Sequence, residues 1–346
     1  MDFLKINGGH GEGGGQIVRS AITLSCITNQ PIHLENIRNN RKDKGLKPQH
    51  LTAIKILQKI TNAVVIGAEI GSTELKFIPG EVESLELIED IKTAGSISLI
   101  LQVLIPAVSI SQKKLSLIIK GGTDVLWSPS MDYTRYVLKE AYSRMGIEFS
   151  IEIIKRGYYP KGGGEIKLQV YPSKIKSINI SKRQTDNLKL ICTFSKISLK
   201  TIKEKVNEIK EKICKEKICK EKINLEIEIK EEEAIDSGAS LLIYGIDNNS
   251  IIGVDSLFNK KTQNFDLDFN KIINNLVGLD EKLADMIIVP ASLAQGKTIF
   301  RVKEITKHLE TNLFVTSKIT GCKYGIGKIS EGFEVIIEGK SNSSIK

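Results

Sequence analysis

Cysteine is sparse in this 346-residue chain, and its arrangement excludes two common roles. Cys26, Cys192, Cys214, Cys219 and Cys322 are odd in number and nowhere spaced C-x-x-C, so neither a disulfide framework nor a zinc site is indicated. Long hydrophobic runs are also lacking. The longest, "ISLILQVLIPAVSI", contains Gln102 and Pro106 and is too short to span a bilayer. No apolar leader follows Asp2, so no signal peptide is expected, and the chain is read as soluble and cytoplasmic with no membrane partner. Acidic excess is absent: 50 Lys and Arg against 41 Asp and Glu leave a net charge of +9, which permits a nucleic-acid partner without establishing one. Histidine occurs only four times, as His10, His33, His50 and His308, so each can be weighed singly.

Apolar residues make up 41% of the chain, ample for a packed core, and the length suggests about two domains. The most distinctive stretch is "FLKINGGHGEGGGQIVRSAITLS". Gly9, Gly11 and Gly14 spell G-x-G-x-x-G after a strand-like run, and Glu35 follows a second one, the spacing of a dinucleotide-binding βαβ unit. Against that reading, Glu12 puts a carboxylate where a pyrophosphate would approach, and Arg38, Arg41, Lys42, Lys44 and Lys47 crowd the segment beyond Glu35. The loop lacks G-K-[ST] and is not a P-loop. A glycine-rich turn needed only for its backbone geometry stays open as the simplest alternative.

The order of elements repeats. "FLKI", "GGQIVRSAITLSCI", "PIHLENI", "LTAIKILQKITNA", "VVIGAEI" and "ELKFIPG" read as βαβαββ. The order returns from "SLELIEDI" to "GGGEIKLQVYP", and again from "KSINI" through "KLADMIIVPASLA", "KTIFRV", the helix-like "VKEITKHLETN" and the strand-like "LFVTSKI" to "GFEVIIEG". Three such units of roughly eighty residues account for most of the chain. The third is interrupted from about Arg183 to Val277 by "LKLICTF", a helix-like run from Ile202 to about Lys222, "INLEIEI" and "SLLIYGI", read as an inserted α/β domain. The expected division is therefore 1–182 with 278–346 as the large domain and 183–277 as the smaller one. Within the insert "KEKICKEKICKEKI" repeats every five residues, about 500° of helix, so Cys214 and Cys219 fall about 140° apart and suit a solvated Lys/Glu helix better than a metal site.

Several residues could do chemistry. His308, late in a short helix-like stretch, is either a surface or capping residue or an imidazole nucleophile. His10 lies in the glycine loop, and His33 alternates within a strand and reads as structural. The run from Arg38 to Lys47 is either a solvated face or, with its arginine forks and a helix start at Pro48, a phosphate site. The second glycine cluster, "RGYYPKGGGEIKLQV", precedes a strand and reads as a hairpin turn.

In combination, "GEGGGQIVRSAITLS", "IRNNRKDKGLKPQHL", "KGGTDVLWSPSMDYTRYV", "RGYYPKGGGE", "LADMIIVPASLAQG" and "ITKHLETNLFV" resemble the RNA 3′-terminal phosphate cyclases, in family order and over most of the chain outside the insert. The resemblance implies an α/β (α+β) fold of three βαβαββ units with a smaller α/β domain inserted in the third, distantly related to the enolpyruvyl transferases. It implies an ATP-dependent ligase that adenylylates a histidine, passes AMP to an RNA 3′-phosphate and closes a 2′,3′-cyclic phosphate, with Mg²⁺ or Mn²⁺. By the same resemblance His308 is the adenylylated residue, and Gln102, Pro129, Lys282, Leu283, Ala284, Asp285, Met286 and Glu12 lie at the nucleotide. Glu12 is also the metal contact, and Arg19, Arg38, Arg41 and Gln49 hold the RNA phosphate and the pyrophosphate. Met286 stands where the family commonly has a polar side chain. An oligomer is compatible with these features. Two other functions compete: a non-catalytic RNA-binding ribosome-assembly factor, disfavoured by the presence of His308, and an enolpyruvyl transferase, disfavoured by the single insertion.

Overall fold

A computed structural model of the protein describes residues 2–215, 217–218 and 221–340. The first glycine loop connects strand β1 (Leu4–Asn7) to helix α1 (Gly15–Thr28), followed by β2 (Ile32–Glu35), α2 (Pro48–Thr61), β3 (Val64–Ile66) and β4 (Leu75–Ile78). These strands form a sheet of order β1-β2-β4-β3, in which β1 and β2 are parallel and β4 is antiparallel to both its neighbours. The antiparallel β4 beside β2 excludes the doubly wound sheet of a dinucleotide-binding domain.

The pattern recurs with β5 (Leu85–Asp90), α3 (Ile97–Ile110), β6 (Leu115–Gly121), a π-helical stretch Tyr133–Leu138 continued as α4 (Lys139–Arg144), β7 (Phe149–Lys155) and β8 (Gly164–Val170), in the order β5-β6-β8-β7. The second glycine cluster lies in the antiparallel connection from β7 to β8, where Gly162 and Gly163 take φ of +64° and +67°.

A two-residue strand, β9 (Asn179–Ile180), leads to β10 (Asn187–Ser195), α5 (Leu199–Lys215), the short paired strands β11 (Lys217–Ile218) and β12 (Glu221–Lys222), β13 (Asn224–Glu231), β14 (Gly238–Asp247), β15 (Ser250–Asn259), β16 (Asn264–Phe265) and α6 (Asn270–Ile273). A sheet of order β13-β10-β14-β15-β16 results, with its own core of Leu190, Cys192, Phe194, Val206, Leu241, Ile243 and Ile252 among others. Helix α5 stops short of the expected Lys222. Its buried stripe is Ile202, Val206, Ile209 and Ile213. The five-residue sequence repeat that follows advances about 500° per repeat and does not continue a stripe at helical spacing. Cys219 lies outside the described residues.

The chain then returns through α7 (Glu281–Met286), α8 (Ile288–Leu293), β17 (Gly296–Val302), α9 (Lys307–Thr320), β18 (Lys323–Ile329) and β19 (Gly332–Gly339), closing a third sheet of order β18-β19-β17-β9. The expected strand "LFVTSKI" is helical. Leu309, Leu313, Thr316 and Thr320 recur at helical spacing on the buried side of α9, which runs to a left-handed cap at Gly321. The strand is instead "KYGIGKI", an edge strand exposed along nearly its whole length, with even Tyr324 and Ile326 in solvent and two glycines in its interior.

The helices of the three sheets meet in one core, with α1 against α2, α3 and α9. Helix α1 is buried from Gly15 to Ile27 except at Arg19, and α3 throughout except at Leu99 and Gln102. Helices buried on nearly every face are central ones, and the exceptions Arg19, Leu99 and Gln102 all line one cavity. Among the described residues no helix is long and apolar enough to cross a membrane.

Candidate active site

His308 sits in the first turn of α9, whose N-cap Thr306 accepts a hydrogen bond from the Leu309 N–H. Its Nε2 lies 2.9 Å from Glu12 Oε2, and the other oxygen of Glu12 pairs with Arg41. Glu12 reaches this position because Gly11 and Gly13, on either side, take φ of +57° and +60°, and a Cβ on Gly11 would stand 2.5 Å from Thr311 Oγ1. The glycine loop is thus shaped to carry a carboxylate against α9. His10 of the same loop stacks on Phe314 with ring centroids 3.8 Å apart.

Beyond His308, Asn312 fixes the next carboxylate. Its Nδ2 donates to Asp285 Oδ1 at 2.6 Å, and its Oδ1 accepts from Ser20 Oγ at 2.7 Å. Burial raises the Asp285 carboxyl above the usual carboxylate range, opposed by the charges of His308 and Arg19 and by the Asn312 hydrogen bond.

Three guanidinium groups gather beside these groups. Burial lowers Arg19 to about 10, with Asp285 opposing and Arg38 adding repulsion. Arg38, whose φ is +56°, is lowered by burial and by Arg41. His50, in the first turn of α2, is held down to about 3 by burial and by Arg19, Arg38 and Lys47, so the imidazole is neutral; its Nδ1 accepts from the Lys47 N–H at 3.0 Å. Gln16, 2% exposed in the first turn of α1, and the Nε atoms of Arg38 and Arg41 find no hydrogen-bond partner among the described residues. Gly14 leaves the start of α1 without a side-chain cap. Mutually repelling cations, an unpartnered carboxamide and an uncapped helix start suit a multiply charged anion.

On the other side of His308 opens a cavity of about 490 Å³. Of the residues expected at the nucleotide, Gln102, Pro129, Lys282, Asp285 and Met286 line it together with His308, and so does Arg19, which was expected at the phosphates. Leu283 and Ala284 are fully buried beneath and do not line it. Arg38, Arg41, Glu12 and Gln49 also lie outside the lining; Glu12 and Arg41 reach His308 through the ion pairs above, and Gln49 is half-buried in the first turn of α2. Lys282 pairs with Asp255, and its Nζ lies 4.9 Å over the Tyr133 ring. Asp280 caps α7 by accepting from Leu283 N and also accepts from Tyr133 Oη and Gly253 N, with its carboxyl pushed up to about 6 by burial.

The sequence reading missed Asp255, Ser256 and Leu257, which reach the cavity from β15, Asp266 just beyond β16, and the lining residues Leu99, Leu126 and Trp127. Asp255 carried a signal: it is the one charge in the strand-like "IIGVDSLF". His33, as expected, is structural, with Nε2 2.5 Å from Glu74.

Comparison with known proteins agrees along the chain. A family model described as RNA 3′-terminal phosphate cyclase matches residues 10–326. The RNA 3′-terminal phosphate cyclase of Pyrococcus furiosus is 36% identical, with 98% of this chain and 100% of that protein covered. That of Korarchaeum cryptofilum is 33% identical over 98% and 99% of the two chains, and that of Methanosarcina barkeri 36% over 97% and 100%. A solved EPSP synthase from Acinetobacter baumannii aligns with 98% of this chain and 65% of its own at 11% identity, with a TM-score of 0.28 that carries no argument. The chain belongs to the RNA 3′-terminal phosphate cyclase family.

Proposed function

We propose that the protein converts an RNA 3′-terminal phosphate into a 2′,3′-cyclic phosphodiester using ATP, with His308 as the covalent nucleophile. One observation carries the reading: His308 stands at a helix start between a nucleotide-sized cavity and a cluster of arginines, with Glu12 2.9 Å from its ring. A phosphate monoester is a poor electrophile whose oxygens repel attack, so it must first gain a leaving group.

The imidazole of His308 attacks the α-phosphorus of ATP; an N–P bond forms, the bond to the bridging oxygen breaks and pyrophosphate departs. An oxygen of the RNA 3′-phosphate then attacks that phosphorus, freeing His308 and leaving an RNA–adenylate anhydride. The vicinal 2′-hydroxyl attacks the RNA phosphorus, loses its proton and expels AMP, an intramolecular closure favoured by proximity. Gln102, Pro129, Lys282, Asp285 and Met286 would hold the adenylate, with Leu283 and Ala284 supporting from below. Arg19, Arg38, Arg41 and Gln49 would hold phosphate oxygens. In this reading residues 1–182 and 278–346 are the catalytic domain, and 183–277 the smaller domain that adds Asp255 to Leu257.

Mg²⁺ or Mn²⁺ fits as an ion arriving with the nucleotide. Among the described residues no three His, Cys, Asp or Glu side chains come together to hold a metal alone, and Glu12 is a single carboxylate, a donor set that phosphate oxygens and water complete. Bound there, the ion would neutralise phosphate charge.

The test is incubation with ATP labelled at the α- or γ-phosphate, followed by denaturing electrophoresis. Acid-labile label from the α-position only, absent in His308→Ala, is the expected result. No label on folded wild-type protein that still binds RNA would overturn the mechanism in favour of non-catalytic RNA binding.

A further inference from the structure

Trp127 is the only tryptophan of the chain, and it is 95% exposed. Its φ is +60°, a region that bulky residues rarely enter. The loop carrying it is nonetheless tied down. Ser128 Oγ donates to Val125 O at 2.9 Å and Ser98 Oγ to Pro129 O at 2.8 Å, while Ser130 N donates to Asp255 Oδ2 at 2.6 Å and Met131 N to Asp124 Oδ1 at 3.2 Å. Residues 125–130 are thereby anchored to α3, to β15 and to a buried carboxylate, and they hold the indole outward at the rim of the cavity, beside Leu126 at 57% exposure. A large apolar ring kept in solvent by an anchored loop with a left-handed backbone is a presented surface, since such strain persists only where the surroundings impose it and concentrates at ligand sites.

We propose that Trp127 is a stacking platform for a base of the RNA substrate just outside the cavity; the proposal rests on the cyclase reading above. Its flat π face suits a nucleobase and discriminates little among bases. The walls of the cavity already offer Leu99, Pro129, Leu257 and Met286 to a mononucleotide. An indole 95% exposed is covered only by a ligand that extends past the rim. A polynucleotide whose terminal phosphate lies at His308 has to leave across such a rim, whereas ATP does not.

The single tryptophan makes the test direct. Its emission in the full chain is followed during titration with ATP alone and with a short RNA ending in a 3′-phosphate, and RNA affinity and the KM for RNA are compared in wild type, Trp127→Ala and Trp127→Phe. RNA is expected to quench and shift the emission. Trp127→Ala is expected to weaken RNA binding about 5- to 150-fold, the range lost with one base–aromatic stack, with the KM for RNA rising in step, kcat less affected and Trp127→Phe largely restoring both. Equal RNA affinity in wild type and a folded Trp127→Ala would overturn the platform. So would quenching by ATP with none by RNA, which would assign the indole to adenine. Wild-type protein that binds RNA through Trp127 yet takes up no α-label would sink the cyclase reading and leave the platform standing.

Discussion

Asn312 commits both ends of its carboxamide to neighbours of His308, donating to Asp285 and accepting from Ser20, and it is only 5% exposed. Asn312→Leu keeps the approximate volume but removes the side-chain hydrogen bond to Asp285 and leaves the buried Ser20 hydroxyl without its acceptor. Stability should fall by about 1–3 kcal/mol, read from urea denaturation, and the rate of α-label uptake should fall with it because Asp285 loses its orientation. An Asn312→Leu protein as stable and as readily labelled as wild type would show that Asp285 is held by Arg19 alone. At this scale Gln102 is a lone polar residue in the apolar α3 run, but its place beside a nucleotide came from the family resemblance alone. Asn312 gave no such signal, since α9 is polar along much of its length.

The starts of α1, α2 and α9 converge, and glycine permits it. A Cβ on Gly15 would stand 2.4 Å from His50 Nε2. Gly15→Ala should therefore cost about 1–3 kcal/mol through overpacking, visible as a lowered Tm. His50 also sets a pH dependence. Folded, its imidazole is held down to about 3 by burial and by the neighbouring cations; unfolded, it protonates near 6.5. The folded pKa is the lower one, so the stability contributed is complete above the unfolded value and is lost as pH falls toward the folded one. The advantage of wild type over His50→Gln should shrink by about 1.4 kcal/mol per pH unit below the unfolded value, measured by urea titrations between neutrality and mild acid. An advantage that grew on acidification would mean that His50 is charged in the folded protein.

The whole molecule depends on how the five-stranded sheet is joined to the rest. Arg156, fully buried after β7, donates to Asp124 at 3.1 Å, to both oxygens of Asp132 at 2.9 Å and to Glu232 at 2.6 Å beyond β13. Burial opposes its charge, but Asp124, Asp132 and Glu232 outweigh that and hold its pKa well above the usual arginine value. Asp124 is also the anchor of the Trp127 loop. Arg156→Ala would leave carboxylates buried without a counter-charge, so a loss of about 3–5 kcal/mol is expected. Hydrogen exchange should then rise first in β10 and β13 and in the 125–130 loop. Exchange confined to β7 would show that the joint does not rest on this arginine.

The sequence by itself determined the mixed α/β class, through runs such as "FLKI" and "GGQIVRSAITLS" whose periodicity and glycine punctuation are local properties. Side-chain type left His308 and the Arg38–Lys47 run open between surface and functional roles, and only the family resemblance singled out His308, Glu12 and Arg19. Tertiary structure alone decided that Glu12 and His308, nearly three hundred residues apart, stand 2.9 Å from one another. Only the tertiary structure showed that β15 delivers Asp255 and Leu257 to the cavity, and that Trp127 faces outward. It also decided that "LFVTSKI" is helical and that the exposed "KYGIGKI" is a strand. The reason is common to all of these. Propensity is a weak local preference, whereas which face is buried, and which partner a polar group meets, is set by contacts between segments far apart in the chain.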